Sequence, residues 1–453
     1  MTFDAAEGTD ADAGDLQQRL VDREATVGVI GLGYVGLPLA LKFTAAGFEV
    51  AGFDIDLGRV ERLLNGDSYV DDVSDAELTA GLESGFAPGA DPTIVAGCDA
   101  YVIAVPTGMN DETGEPRMDA VEAAAETVAE QAGGRETLVV VSSTVYPGAT
   151  REIVAPIVEG ADGAIRLAMV PERLNPGGDV PFEEIPLVVG ADAASARTAA
   201  QALFDAVVTE TYPVESTETA ELAKTLENTY RMVNIALVNE LVTLAEGLDG
   251  DVWEAIEAAG TKPFGFQPFY PGPGVGGHCI PVDPQFLAWR AEEFGGELSF
   301  VRDAHRLNER MPALVVDRLR TMLQARGVTP DGASVVALGA AYKPNVGDTR
   351  NSPALRVADG IDEWATVTVV DPHVDEEGTA RRLLRSPAEA DLAGADAVVL
   401  LVDHDAFDLE YVGDEAAFVF DTRNAMPDGC AADVVTLGDV VEQAELNPVV
   451  LSS

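Results

Sequence analysis

Cys279 lies inside YPGPGVGGHCIPVDP, residues 270–284, in a chain with three cysteines. A thiolate attacks carbonyl carbon readily, and a run rich in glycine and proline leaves backbone donors exposed around a small cavity in which Gly274 and Gly276 could approach a ligand. A buried packing cysteine is the competing reading; Asp283, four residues on, keeps the reactive one open. Lys224 and Asn228 are also four apart, hence on one helix face. Together they could hold a developing oxyanion or could line a solvated surface. Lysine occurs only at positions 42, 224, 262 and 343, which makes each one conspicuous. Glu172, in VPERLNPGG, follows the apolar run IRLAMV and so falls at the carboxyl end of an expected strand, where open α/β sheets collect ligands.

The second constellation is GLGYVG, with Gly31, Gly33 and Gly36 placed after an expected strand and before an expected helix. That spacing serves a tight turn, a close approach of pyrophosphate to backbone, and tight helix–strand packing, with phosphate on the helix amides. Asp54, at the end of the next strand, suits the ribose hydroxyls and repels a 2′-phosphate, so NAD is favoured over NADP. Arg59 either modifies that choice or is a surface arginine.

The elements that must position these residues alternate short Val/Ile-rich runs with Ala/Leu-rich helical patterns, which implies parallel sheets with covering helices. Strands are expected at Thr26 to Ile30, Glu49 to Phe53, Ala100 to Val105 and Thr137 to Ser142. Residues 216–249 read as one long helix. Its acidic start carries Glu218 and Glu221, and Leu222, Leu226, Tyr230, Val233, Leu237, Leu241 and Leu244 form a face expected to be buried, against a second subunit. GCDAYVIAVPT with GADAVVLLVDH, and VAGFDID with VTVVDPH, suggest two similar α/β halves or a coincidence between buried strands. The expected domains are an acidic, disordered extension (1–24) with part of a helix at DLQQRLVD, an NAD-binding Rossmann domain (25–210), a central helical domain (211–327) and a C-terminal α/β domain (328–453). The fold class is therefore α/β, two Rossmann-like doubly wound domains joined by a helical domain with one long helix.

The chain has 453 residues, 78 Asp plus Glu against 28 Lys plus Arg, and a formal charge of −50. Such a balance disfavours nucleic acid and anionic membranes as partners and, because concentrated salt would screen the self-repulsion, points to a halophile's protein. No apolar run reaches membrane-span length and no signal pattern opens the chain, which implies a soluble cytoplasmic protein. Cys98, Cys279 and Cys430 are too scattered for a disulfide framework or zinc site, and no metal is expected.

The ordered segments GLGYVGLP, SSTVYPGAT, PERLNPGG, ELAKTLENTYRMVNIALVNEL, PGPGVGGHCIPVDP and LGAAYKPNVGDTRNSPAL resemble the nucleotide-sugar 6-dehydrogenase family over nearly everything after residue 25. The resemblance implies a four-electron oxidation of a sugar C6 alcohol to a carboxylate with NAD, in polysaccharide biosynthesis. Cys279 would be the nucleophile, passing through a thiohemiacetal and a thioester. It makes Lys224 and Asn228 oxyanion stabilisers, Glu172 the base for thioester hydrolysis, and Asp283 and Thr144 aids to water and cofactor placement. Cofactor contacts would come from Gly31, Gly33, Tyr34, Val35, Gly36, Asp54, Arg59, Thr107, Ser143, Thr144 and Arg350. UDP-sugar contacts would come from Glu172, Arg173, Lys224, Asn228, Phe264, Gly265, Tyr270, Gly274, Gly276 and Lys343, with core packing the alternative for each aromatic residue. The Arg173-Leu174-Asn175-Pro176 segment is more like members acting on UDP-N-acetylmannosamine or UDP-N-acetylglucosamine than on UDP-glucose, with GDP-mannose third. A two-electron β-hydroxyacid dehydrogenase is the more distant alternative, since it needs neither Cys279 nor a third domain; a catalytically dead sensor is another. A homodimer or higher homo-oligomer is expected.

Overall fold

The computed structural model describes residues 10–70, 72–110, 112–173, 178, 180–245, 247–248, 250–375, 379, 381 and 383–439. The chain divides into two compact units, Met1–Asn228 with Val282–Glu297, and Thr229–Pro281 with Leu298–Ser453.

The main sheet of the first unit has eight strands among the described residues: β1 (Thr26–Ile30), β2 (Glu49–Phe53), β3 (Phe86–Gly89), β4 (Ala100–Ile103), β5 (Thr137–Val141), β6 (Ile165–Met169), β7 (Leu187–Gly190) and β8 (Thr211–Val214). Their order across the sheet is β8-β7-β6-β5-β4-β1-β2-β3. All neighbours run parallel except β6 and β7, which meet antiparallel at Met169 and Gly190. Every residue of β4 and β5 is buried, as expected of central strands covered on both faces. The strand order reverses between β1 and β4, which opens a crevice at their carboxyl ends.

Helix α1 (Asp10–Asp22) contains the expected part-helix DLQQRLVD and begins earlier than the expected disordered extension allowed. Leu16 and Leu20 are buried in the sheet's core, and Arg19 pairs with the buried Asp99 carboxylate. Two leucines four apart and one anchored arginine outweigh the acidic composition of this segment; residues 1–9 lie outside the described residues.

The second unit holds β9 (Ser334–Leu338), β10 (Thr366–Val370), β11 (Leu383–Leu384), β12 (Ala397–Leu400), β13 (Phe418–Asp421) and β14 (Asp433–Thr436), ordered β11-β10-β9-β12-β13-β14 and parallel throughout. Here the order reverses between β9 and β12. The chain is thus α/β with two doubly wound sheets, as the alternation of runs implied.

Helix α2 (Gly36–Ala45) follows the glycine turn after β1. The long helix α3 (Thr217–Ala245) and helix α4 (Cys279–Glu293) each contribute residues to both units. The second unit adds α5 (Ser299–Ala325) and α6 (Pro353–Asp362). On α3 the expected apolar stripe is exposed among the described residues at Leu222, Leu226, Tyr230, Leu237, Leu241 and Leu244, Leu226 by 59%, whereas Val233 is half-buried. No described helix is long and apolar enough to cross a membrane.

Candidate active site

In the first unit β1 ends directly in the glycine turn. Gly31 has φ +90°, and a Cβ there would sit 2.6 Å from the Ala104 carbonyl oxygen after β4; at Gly36 it would sit 1.8 Å from the Gly31 carbonyl oxygen. Gly33 differs, since a Cβ there meets nothing within 4 Å. Two glycines therefore close the turn and one leaves it open, the arrangement a pyrophosphate needs. Helix α2 begins with no side-chain cap and no acidic residue in its first turn, so its positive end favours an anion. Tyr34 is exposed beside the turn, whereas Val35 packs against the core.

Asp54 is buried, with Oδ2 accepting from the Leu32 amide at 2.9 Å and Oδ1 from the Asp56 amide at 2.9 Å. A carboxylate has about four acceptor sites, so capacity for ribose hydroxyls remains. Arg59 stands 3.7 Å from Asp54 with its guanidinium over the Tyr69 ring; it belongs to this corner of the site. Ser143 accepts from the Val105 amide at 2.9 Å and donates to the Val105 carbonyl at 2.8 Å, and the Thr107 hydroxyl donates to the Thr144 carbonyl at 2.6 Å. These bonds stitch the loops after β4 and β5 together on the cofactor side. The turn, the uncapped helix and the carboxylate fit NAD.

Beyond β6, Glu172 lies 3.6 Å from the Lys224 ammonium on α3, both buried. Asn228, one turn further along α3, donates to Asp283 Oδ2 at 2.5 Å. Among the described residues Glu172 Oε1, Asp283 Oδ1 and the Ser142 hydroxyl have no hydrogen-bond partner. Orphaned buried oxygens of this kind call for a ligand or water. Burial raises Glu172 above the ordinary carboxylate range, and Lys224 opposes without cancelling it. Burial likewise lifts Asp283 to about 7 against the pull of Lys224 and the Asn228 hydrogen bond. Carboxyl groups whose proton affinity burial has raised can exchange protons with a substrate. Arg173 is engaged otherwise: its guanidinium pairs with Glu227 and donates to the Pro186 carbonyl. Residues 174–177, on which the sugar assignment partly rests, lie outside the described residues.

Glu221 is a residue the sequence reading assigned only to the helix dipole. It is fully buried and accepts from the Gly148 amide at 2.5 Å and the Thr150 amide at 2.8 Å. It thereby ties the turn of the loop after β5 to the helix of Lys224. Its position three residues before Lys224, on the same helix face, is the signal that could have revealed it.

In the second unit Cys279 is half-buried and is the first residue of α4, at the end that favours negative charge; Asp283 follows one helical turn later. The glycine-rich loop before it is held from several sides. The Gly272 amide donates to Asn239 Oδ1 at 3.0 Å, and Asn239 in turn donates to Asn308 at 3.0 Å. A Cβ on Gly272 would meet the Arg423 guanidinium at 2.6 Å. A Cβ on Gly274 would lie 3.1 Å from Pro353, and one on Gly276 2.7 Å from both Pro353 and Tyr342. Asn308 and Arg423 lie in no motif, and Asn239, though inside ELAKTLENTYRMVNIALVNEL, was given no role; only the fold brings the three to the loop.

Phe264 is 71% exposed with the Lys262 ammonium over its ring, Gly265 has φ +71°, and Tyr270 stacks on Trp253 and donates to Glu257 at 2.6 Å. Neither aromatic residue is core. Lys343 lies in the loop after β9 with its ammonium 5.8 Å from the Tyr342 ring, and Arg350 pairs with Asp348. That loop starts at the reversal point of the second sheet, the place where such sheets take ligands.

No group of described His, Cys, Asp and Glu side chains could hold a metal. A dinucleotide turn with an acidic strand end, and a second doubly wound sheet carrying basic residues at its crevice, together define an NAD-dependent oxidoreductase of nucleotide-bearing substrates. Comparison with known proteins makes the class specific. The UDP-glucose/GDP-mannose dehydrogenase family models match in all three parts: the NAD binding domain over residues 25–208, the central domain over 218–310 and the UDP binding domain over 336–428. The UDP-N-acetyl-D-mannosamine dehydrogenase of Pyrococcus horikoshii is 36% identical, over 84% of this chain and 90% of that one. The UDP-N-acetyl-D-glucosamine 6-dehydrogenase of Pseudomonas aeruginosa is 34% identical, over 85% and 92%. The solved structure of a UDP-glucose dehydrogenase from Pyrobaculum islandicum superposes with a TM-score of 0.82 at 30% identity, covering 92% of this chain and 98% of that one. The chain belongs to the UDP-glucose/GDP-mannose dehydrogenase family and is an NAD-dependent nucleotide-sugar dehydrogenase with a UDP-sugar as substrate.

Proposed function

We propose that this protein oxidises the C6 alcohol of a UDP-N-acetylhexosamine, UDP-N-acetylmannosamine or UDP-N-acetylglucosamine, to the carboxylate in two two-electron steps. The observation that carries the reading is the buried Glu172–Lys224 and Asn228–Asp283 cluster with its orphaned carboxylate oxygens, on a chain whose named relatives act on N-acetylated sugars. When bound at the Gly31–Gly36 turn and Asp54, NAD would supply the hydride acceptor for both oxidations. Lys224 and Asn228 stabilise the alkoxide as the alcohol passes its proton to water, and loss of the first hydride leaves the aldehyde. The Cys279 thiolate adds to the aldehyde carbon, and the resulting oxyanion takes a proton, giving a thiohemiacetal. Loss of that proton and of a second hydride leaves a thioester on Cys279. Glu172, as base, removes a proton from water that attacks the thioester; the C–S bond breaks, the thiolate leaves, and the carboxylic acid gives its remaining proton to solvent. Asp283 and Thr144 orient water and cofactor.

UDP-glucose is the second reading, favoured by the superposition on a UDP-glucose dehydrogenase. Further readings within the proposal are a cytoplasmic homodimer or larger homo-oligomer, a salt-dependent protein, and a role in polysaccharide biosynthesis. Turnover of UDP-N-acetylmannosamine, UDP-N-acetylglucosamine, UDP-glucose and GDP-mannose, with NADH counted per sugar, tests the scheme. Two NADH per sugar are expected; one would return the protein to the two-electron class. Cys279→Ser is expected to bind the sugar and yield no acid, and normal acid production by that variant would remove the thiol from the scheme.

A further inference from the structure

Gly277, two residues before Cys279, has both backbone groups occupied by one neighbouring segment. Its amide donates to the Arg350 carbonyl at 2.9 Å, and its carbonyl accepts from the Asn351 side-chain amide at 3.0 Å. Its φ is +80°, and a Cβ would meet the Tyr342 ring at 2.9 Å, so the loop is pressed flat against Tyr342. Gly276 is wedged beside it, with a Cβ meeting Pro353, Tyr342 and the Asn351 carbonyl within 2.8 Å. Asn351 has φ +50°, a left-handed backbone that asparagine tolerates better than most residues.

The segment that supplies this grip is itself anchored to the second sheet. The Ala340 and Ala341 amides donate to Asp371 Oδ2 at 2.7 and 3.0 Å. The Asn345 amide donates to His404 Nδ1 at 3.0 Å, and the Asn345 side chain exchanges two hydrogen bonds with Asp405. The Tyr342 amide donates to the Asp348 carbonyl at 3.0 Å, and Ser352 donates to the Ala340 carbonyl while capping α6. Lys343 lies midway along it. One continuous segment, residues 340–352, therefore runs from the crevice of the second sheet to the backbone beside the thiol.

We propose that Asn351 is a positioning residue: its side-chain amide, held by the segment that begins at the nucleotide crevice, fixes the Gly277 peptide and through it the orientation of Cys279. The proposal rests on the thiol chemistry above and assigns Asn351 no contact with the reacting atoms. The left-handed φ offers a clean control, because Asn351→Gly keeps that backbone and removes only the donor. Asn351→Asp keeps the shape and presents an acceptor to the Gly277 carbonyl.

In the full-length protein, losing one such hydrogen bond, worth about a factor of five to ten, is expected to lower kcat by that factor in Asn351→Gly with KM for NAD and UDP-sugar within about twofold. Asn351→Asp should be lower still. Peptide-level mass spectrometry of iodoacetamide alkylation should show Cys279 reacting about fivefold faster in both variants than in the wild type, with Cys98 and Cys430 unchanged. A purely conformational role for Asn351 would be rescued by Asn351→Gly, so wild-type kcat and wild-type alkylation in that variant would overturn the proposal. UDP binding, followed by calorimetry, separates the two readings. Wild type that fails to bind UDP would count against the substrate assignment, while the alkylation comparison without nucleotide still decides the role of Asn351.

Discussion

Lys224 acts on two buried carboxylates at once, and its single charge does not bring either of them down to the ordinary range. The consequence is a sign that can be tested. Asp283 has an ordinary value of 3.8 and is lifted to about 7 in the folded chain. The folded state then holds a proton that the unfolded chain has released, so the associated stability is complete below 3.8 and is lost as pH rises through about 7. Asp283→Asn should remove that slope. Denaturant titrations from pH 4 to pH 8 are expected to show the variant gaining on the wild type across this window, by on the order of a few kcal/mol; parallel profiles would refute it. Lys224, Asn228 and Glu172 were legible as candidates because reactive types sat at helical or strand-end positions, and Cys279 with Asp283 because a glycine- and proline-rich run precedes them. Glu221 and Asn351 were not, since their roles are hydrogen bonds to backbone groups far away in sequence.

Helix α3 shows how pattern reveals an element but not its surroundings. The spacing gave the helix and its stripe correctly, yet Leu226 and Leu237 are exposed by 59% and 54% in the single chain. Periodicity states which residues share a face; what covers that face depends on atoms outside the element. With a second copy as the proposed cover, Leu226→Asp combined with Leu237→Asp should reduce the mass measured by light scattering from two or more chains to one. An unchanged mass would exclude the stripe as the interface. Strands were read more sharply: β1 and β2 begin and end where the Val/Ile runs do, bounded by glycine and acidic residues. The expected ends of β4 and β5 at Val105 and Ser142 overran by one or two residues, because the Ser143 hydroxyl draws the Val105 backbone into the loop. Helix α1 was legible only in its second half, DLQQRLVD, where Leu16 and Leu20 fall four apart; the acidic, Ala/Gly-rich residues before it hid its start.

The whole molecule carries −50 charges, and their mutual repulsion is relieved as the screening length falls to about 3 Å in 1 M salt. Its thermal midpoint is expected to rise between 20 mM and 2 M KCl; a flat or falling response would end the halophilic reading. The paired motifs VAGFDID and VTVVDPH do occupy equivalent places, with Asp54 and Asp371 each following the strand next to the sheet's first strand. Their carboxylates have diverged. Asp371 is fully buried and accepts from Ala340, Ala341, His404, His373 and Val374. Burial alone would raise it, but hydrogen bonding to His404 and the amides outweighs that and holds it below the ordinary range. Because His404 Nδ1 accepts from Asn345, its proton sits on Nε2 and points at Asp371. No lone pair is left there for a ribose, so equilibrium titration should find one NAD per chain, and two would contradict this. For the four-electron oxidation proposed above, a single berth would impose a queue. The first spent carrier must depart and a fresh one arrive while the half-finished sugar waits, so accumulated NADH should stall the enzyme midway through a turnover.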